Sequence, residues 1–528
     1  MLGFSPAACY TGVPLVFSVM STDLKYKVND LQCFHVDPAK PELAWDALKK
    51  ECNCLSEWGI ESLRDGLDGF VRTIVFEPYY TCKDHRNLYS NFYSKKFLES
   101  SSSCSRLHFF SYPSLQPKEL LARPGSFQDH YLGFSVIRPV NTRCIGRTVI
   151  DPYKIGKSLN DGYYLLRTRF RAQINGTEFT VCGYPFTAQD ADATLCAHSA
   201  LWGVCRYLSE RYPHYKELYP FDFIRMTESS KGRAFPYRGM TYTDYCKILT
   251  DFGTCPVTGV LQKKNPNDTQ GPLIQDIDSF QDLCAYVESG FPVLASLRLE
   301  GPGHVVSLIG HTMDYTVPIS TSTGFIDSSH FLKQFVVVDD NYFPYQKLGY
   351  EGDPESYPTG YGVSPVTGSK VGIKDICVIT CPLPEKVFLP AKDAREKAMK
   401  HCRKFLSTLK LTGTEPFVHR LFVTSSSAFK RRKLAAALSG PDPASSLVAS
   451  LHLPHFLWVM EISPIDAYKR GICTAEIVLD ATAGSAEDGI IYMRIGDQMH
   501  FAGTTQTIWK KVSGPNQFPQ YTHNLGEK

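Results

Sequence analysis

The sequence predicts an α+β fold, and three observations carry that expectation. Strand-like runs crowd between Tyr131 and Phe186, an amphipathic helical stretch follows them, and beyond Pro382 a strongly basic helical stretch precedes a second group of strand-like runs. In order along the chain, Ala44 to Leu55 has helical spacing (Ala44, Leu48, Leu55), Phe70 to Phe76 reads as a strand, and Ser100 to Ser103 is a polar patch. No chemistry is legible in this first part. Strands are then expected at Tyr131–Val140, Gly146–Ile150, Tyr163–Ile174 and Glu178–Phe186, the last two joined by Asn175-Gly176, a dipeptide suited to a two-residue hairpin turn. Asn175-Gly176-Thr177 also fits a glycosylation sequon, and the turn is the favoured reading.

A helix is predicted over Thr194–Tyr212, where Leu195, Leu201, Val204, Leu208 and Tyr212 recur at three- and four-residue steps and Pro213 closes the run, with Asp192 or Thr194 as its N-cap. The stretch from Thr227 to Pro272 reads as irregular. Further strands are expected at Pro292–Leu299, His304–Ile309 and Phe335–Val338, then a Pro/Gly/Tyr-rich loop at Tyr350–Gly368. Past Pro382 come a basic helix, Ala391–Leu411, and strands at Leu421–Thr424, Phe456–Ile462, Ala475–Leu479 and Ile490–Ile495. The organisation expected is a mixed N-terminal region (1–125), a strand-rich meander followed by a helix-and-strand core (126–385) and an α+β C-terminal module (386–528). No internal repeat is visible.

Composition narrows the class. With 43% hydrophobic, 12% aromatic and 21% charged residues among 528, the chain matches a folded protein and excludes wholesale disorder. A formal net charge of +3 is too small for nucleic acid or an anionic membrane to be held by bulk attraction. The 17 cysteines are odd in number and scattered, which favours reduced thiols and a cytoplasmic location over a disulfide framework. Gly3–Met20 is fairly apolar but contains Pro6 and Pro14 and has no basic residue before it, so it is not read as a signal peptide. No charge-free apolar run of spanning length occurs, so no membrane span is expected.

The chemistry is expected around Gln189-Asp-Ala-Asp-Ala-Thr-Leu-Cys196-Ala-His198, where a cysteine opens a helix behind a polar loop. A helix N-terminus favours negative charge, so a thiol there ionises more readily. Downstream, Gly301-Pro-Gly-His304 starts an apolar strand that runs to Gly310-His311, and Phe335-Val-Val-Val-Asp339-Asp340-Asn341 ends another strand in groups able to orient an imidazole. The order Cys, His at a strand start, Asp at the end of the next strand resembles papain-like cysteine peptidases over about residues 185 to 345. Within that superfamily it is more similar to the double-glycine, bacteriocin-processing branch. The resemblance implies a papain-like core in which Cys196 is the nucleophile, His304 the base and Asp339 its orienting partner, with Asp340 as the alternative. It also implies that Gln189 helps to bind the oxyanion, although Gln189 stands one residue farther from Cys196 than in the papain branch. Cys196 is followed by Ala197 rather than by glycine, a departure from the family pattern.

The implied function is hydrolysis of a peptide or isopeptide bond in a protein or peptide substrate without any cofactor. Transglutaminase-like acyl transfer and an inactive papain-like binding module are the alternatives. His198 sits on the wrong side of the helix to serve Cys196 and is read as packing or capping. His311 stands an odd number of residues from His304, so in an unbroken strand it faces the other side of the sheet. Cys52/Cys54 and Cys377/Cys381 are isolated pairs that do not complete a zinc site, and no phosphate loop, dinucleotide fingerprint or serine nucleophile elbow is present. Lys430-Arg431-Arg432-Lys433 is read as a solvated helix face, and no nucleic-acid partner is expected.

Overall fold

The computed structural model describes residues 31–525 except 98–99, 124, 141–142, 191, 232–238, 266–267, 302, 320–323, 358–363, 365–367, 369, 409–415, 439–441, 502–509, 513–515 and 523. The segment Gly3–Met20 lies outside the described residues. The fold is α+β.

The chain begins with a five-stranded antiparallel sheet, β1 (Gln32–His35), β2 (Thr73–Tyr80), β3 (Cys104–Phe110), β4 (Tyr131–Ile137) and β5 (Ile145–Ile150), in that spatial order. Helices α1 (Pro41–Glu51), α2 (Glu57–Leu67), α3 (Lys83–Asn91) and α4 (Pro117–Ala122) connect these strands. The boundary expected at 125/126 therefore runs between β3 and β4 of a single sheet. The strand expected over Tyr163–Ile174 is two strands, β6 (Tyr163–Leu165) and β7 (Thr168–Ile174), which pair with different partners and belong to different sheets. Strand β7 turns through Asn175 (φ 43°) and Gly176 (φ 86°) into β8 (Thr177–Gly183), the hairpin that this dipeptide predicts.

Helix α5 (Cys196–Arg211) follows, with all but its ends buried. The stretch expected to be irregular instead contains α6 (Pro220–Lys231), α7 (Tyr242–Phe252) and three strands, β9 (Thr254–Val260), β10 (Gln262–Asn265) and β11 (Asp268–Gln275). After α8 (Ile277–Glu288) come β12 (Val293–Leu297), β13 (His304–Met313), β14 (Phe325–Asp327), β15 (Leu332–Val338), β16 (Gln346–Gly349) and β17 (Ile376–Pro384). The central sheet has the order β16-β15-β13-β12-β17-β9 and is antiparallel throughout, with β6 added against the far half of β13. That addition needs Gly310, because a Cβ there would sit 2.0 Å from the Tyr164 carbonyl oxygen.

Strand β13 is buried along nearly all its length because each face has a core of its own. On one face Val305, Ile309, Val336 and Val338 join Leu201, Val204 and Leu208 of α5. On the other, Val306, Leu308, Phe335 and Val337 join Leu283 and Val287 of α8. The second core continues into the C-terminal region, taking in α9 (Ala391–Thr408) through Ala394 and Ala398, together with Leu421, Trp458 and Met493. In that region β18 (Phe417–Ser425), α10 (Ser426–Leu438), α11 (Pro443–Ser450), β19 (Phe456–Pro464), β20 (Ile472–Cys473), β21 (Ala475–Asp480), β22 (Ile490–Ile495) and β23 (Gln498–Phe501) are the main elements. Its sheet runs β18-β19-β21-β22-β23, and β14 from the preceding region pairs in parallel with β18 at the edge. The Lys430–Lys433 run lies on α10 and is not wholly solvated. The Lys433 ammonium is buried between the two carboxylate oxygens of Glu476, at 2.9 and 2.7 Å, which makes it an internal ion pair. Among the described residues no helix is long and apolar enough to cross a membrane.

Candidate active site

Cys196 is the first residue of α5 and is partly exposed, where most of the helix is buried. The residue preceding the helix is Leu195, in extended conformation, and neither Asp192 nor Thr194 caps it. The approach is organised from further back. One oxygen of the buried Asp190 carboxylate accepts the backbone N–H groups of Asp192, Ala193 and Thr194 at 3.1, 2.8 and 2.7 Å, and its other oxygen accepts the Tyr93 hydroxyl at 2.9 Å. Asp192 is then left to pair with Lys96 at 2.8 Å. His198 turns back, its Nδ1 accepting the Leu195 N–H at 3.4 Å, and burial holds its ring down to a pKa of about 4. It is thus a neutral capping residue. The body of α5 is tied to α3, since Asp84 accepts Trp202 Nε1 at 3.1 Å and Arg206 Nη2 at 3.0 Å. The N-terminal region, silent as sequence, therefore holds the helix that carries the cysteine.

His304 opens β13 and is 1% exposed; its Nε2 hydrogen-bonds Asp339 Oδ2 at 2.9 Å. Asp339, fully buried at the end of β15, accepts three more hydrogen bonds. The backbone N–H and the side-chain amide of Asn341 reach Oδ1 at 2.9 and 3.0 Å, and the Tyr357 hydroxyl reaches Oδ2 at 3.0 Å. Burial works against a charge on this carboxyl, but the His304 imidazole and these donors outweigh it and hold Asp339 below the usual carboxylate range. Burial likewise opposes a charged His304 ring. The Asp339 carboxylate, with a hydrogen-bond contact to the Cys196 side chain, overcomes it and raises the imidazole well above its ordinary value.

Asp340 has a different environment. Its Oδ1 lies 3.9 Å from His304 Nε2, and its carboxyl borders a cavity of about 10 Å³ shared with Cys196, Tyr184 and Ser307. Among the described residues neither carboxyl oxygen has a hydrogen-bond partner, and burial together with the neighbouring Asp339 charge pushes its pKa up to about 7. Of the two candidates, Asp339 is the one bonded to the imidazole. Gln189 is buried nearby, its side-chain amide donating to Asn341 Oδ1 at 3.5 Å, so it is linked to Asp339 through Asn341.

Cys196, His304, Asp339 and Asp340 thus meet at one point, and His198 and His311 are not part of it. The faces of the two strand histidines differ from expectation. His304 pairs in register with Leu297 and His311 with Phe335, both in the core beneath α8, because the register slips between Leu308 and Gly310. A bulge restores the face that an odd separation would have reversed. Tyr357, which contacts Asp339 from within a loop, belongs to no sequence motif. Its tyrosine-rich surroundings were the sole signal. His304, Asp339 and Asp340 also form the one group among the described residues whose donor atoms could converge on a metal ion, although the first two already bond each other.

A thiol at a helix start, an imidazole in contact with it and a buried carboxylate behind the imidazole can pass a proton from sulfur to nitrogen and stabilise the resulting charge. No family model matches the chain, and no curated protein or solved structure does either.

Proposed function

We propose that this protein is a papain-like cysteine peptidase that hydrolyses a peptide or isopeptide bond. The carrying observation is the His304 ring, hydrogen-bonded to Asp339 at 2.9 Å through Nε2, with the Cys196 side chain among the groups that raise the imidazole above its ordinary value. With Nε2 engaged by the carboxylate, proton exchange with the thiol falls to Nδ1. The thiolate attacks the carbonyl carbon, forming a C–S bond. The tetrahedral intermediate then expels the amine as the C–N bond breaks, and His304 supplies the amine's proton. Water, deprotonated by the same imidazole, attacks the thioester, breaks the C–S bond and releases the carboxylate. The Cys196 backbone N–H at the start of α5, with Gln189, serves as the oxyanion donor set. No step needs a cofactor.

The test is labelling of the full chain with an electrophilic peptide probe, followed by mass-spectrometric mapping over all 17 cysteines. Cys196 is expected to react first and to lose that priority in His304→Ala, with release of both peptide halves when a peptide library is supplied. Labelling spread evenly over exposed thiols, or priority unchanged in His304→Ala, would overturn the reading. Products joined to an added amine instead of released as acids would convert it to acyl transfer.

A further inference from the structure

A cavity of about 810 Å³ lies near the opposite end of α5 from Cys196. The fifteen rises of 1.5 Å from Cys196 to Arg211, which lines the cavity, span about 22 Å. The volume suits a small-molecule ligand, and the lining is strongly basic. Arg167, Arg169 and Arg211 enter from the central part of the chain, and Lys386 and Arg431 from the beginning of the C-terminal region, against Glu385 as the single acidic side chain of the lining. Arg167 is partly neutralised by Asp151 at 3.5 Å. Among the described residues, no acidic side chain lies within 4.0 Å of Arg169, Arg211, Lys386 or Arg431.

Cations that share a cavity and outnumber its counter-charges repel one another, so the arrangement costs stability until an anion enters. Two further features select the anion. The first turn of α10, through Ser427 and Ala428, borders the same space, and a helix start attracts phosphate. Arginine forks suit phosphate oxygens, while Thr168, Thr424 and Ser425 supply hydroxyls.

We propose that this cavity binds a multiply phosphorylated small molecule at the seam between the central and C-terminal regions. The lining is contributed by β7, the end of α5, the end of β17 and α10, so one ligand would bridge parts of the chain distant in sequence.

The experiment is calorimetric titration of the full chain, at physiological salt, with ATP, inositol hexakisphosphate and tripolyphosphate as probes. At least one is expected to bind with one-to-one stoichiometry and a micromolar Kd. The Lys386→Glu/Arg431→Glu double variant, altered at exposed positions, should bind it at least tenfold more weakly, with its Tm without ligand close to the parent's. Arg169→Glu, on a separate element, should weaken binding in the same direction. Preference for ATP would identify a nucleotide, and preference for the cyclitol or for tripolyphosphate would identify recognition of phosphate groups alone; all three results support the proposal. Failure of every probe to bind below millimolar concentration would overturn it, as would undiminished binding by Arg169→Glu and the double variant.

Discussion

Strand β13 carries a buried histidine near each end, and each places Nε2 2.9 Å from a carboxylate, Asp339 for His304 and Glu288 for His311. By distance the two pairs are twins, yet their surroundings differ. At His304 the contact has hydrogen-bond geometry, the carboxylate is held by three further donors, and the ring meets a partly exposed thiol. At His311 the same separation lacks that geometry, the ring stacks on Tyr164 with centroids 5.1 Å apart, and Glu288 is shared with the buried Arg420. Burial pushes the Glu288 carboxyl up, but His311 and Arg420 pull it below its ordinary value. A histidine beside a carboxylate is therefore not by itself a sign of catalysis. What distinguishes the first pair is a partly exposed thiol at a helix start and the fixed orientation of the acid behind the base, whereas Cys284, the thiol that borders the same small cavity as His311, is buried and held protonated by that burial.

The sharpest way to break the comparison is to delete each ring. His304→Ala should lower peptide turnover by about 10²- to 10⁴-fold and, because the buried Asp339 carboxylate loses its partner, also cost about 1–3 kcal/mol of stability. His311→Ala should keep turnover within about threefold of the parent but lose about 1–3 kcal/mol of stability, because a buried carboxylate loses a partner. Chemical denaturation and steady-state kinetics on both variants read the two effects separately. Equal kinetic losses would erase the distinction.

A smaller effect is expected from Tyr357→Phe, which removes one donor to Asp339 and leaves the aromatic body in place. Turnover should fall by about tenfold or less. Asp339 is held low in part by that hydroxyl, so the acidic limb of the pH–rate profile should move to higher pH. A loss of activity with an unmoved limb would reduce Tyr357 to packing.

The smallest effect concerns stability and Asp340. Its folded-state pKa of about 7 lies above the unfolded value, so the native state binds its proton more tightly. Stability is thus lost as pH rises from the unfolded carboxylate range through about 7. Asp340→Asn should raise Tm at pH 8 and change it little at pH 4, measured by calorimetry at both. A variant whose Tm follows the parent's pH curve would show that Asp340 does not titrate as described.

Much of the site was readable because it rests on local patterns. The stripe Leu201, Val204, Leu208 placed α5, and an apolar run starting at His304 and another ending at Asp339 placed β13 and β15. The hairpin at Asn175-Gly176 needed no tertiary information. Helix α7 also has local signals, since Thr241 and Asp244 form a capping box, Tyr245, Ile248, Leu249 and Phe252 make a stripe, and Gly253 ends it. By contrast, β10 and β11 form a separate two-stranded ribbon with a weak apolar pattern, and no sequence spacing announces it. The contacts made by Tyr357 and Asp84, and the one between Asp190 and Tyr93, are set by tertiary packing, as is the bulge that turns His311 to the face of His304.

The central sheet is completed by a strand that the chain makes long before the rest of it. Strand β6 pairs Tyr163, Tyr164 and Leu165 with Thr312, His311 and Gly310, so it waits for about 150 further residues, roughly 7 to 30 s at ribosomal speed. Through that interval its backbone groups have no sheet to join, and the register that eventually seats it depends on a single glycine. Refolding of this protein should accordingly be slow and governed by long-range pairing, and the cysteine of α5 becomes part of a site only after that wait has ended.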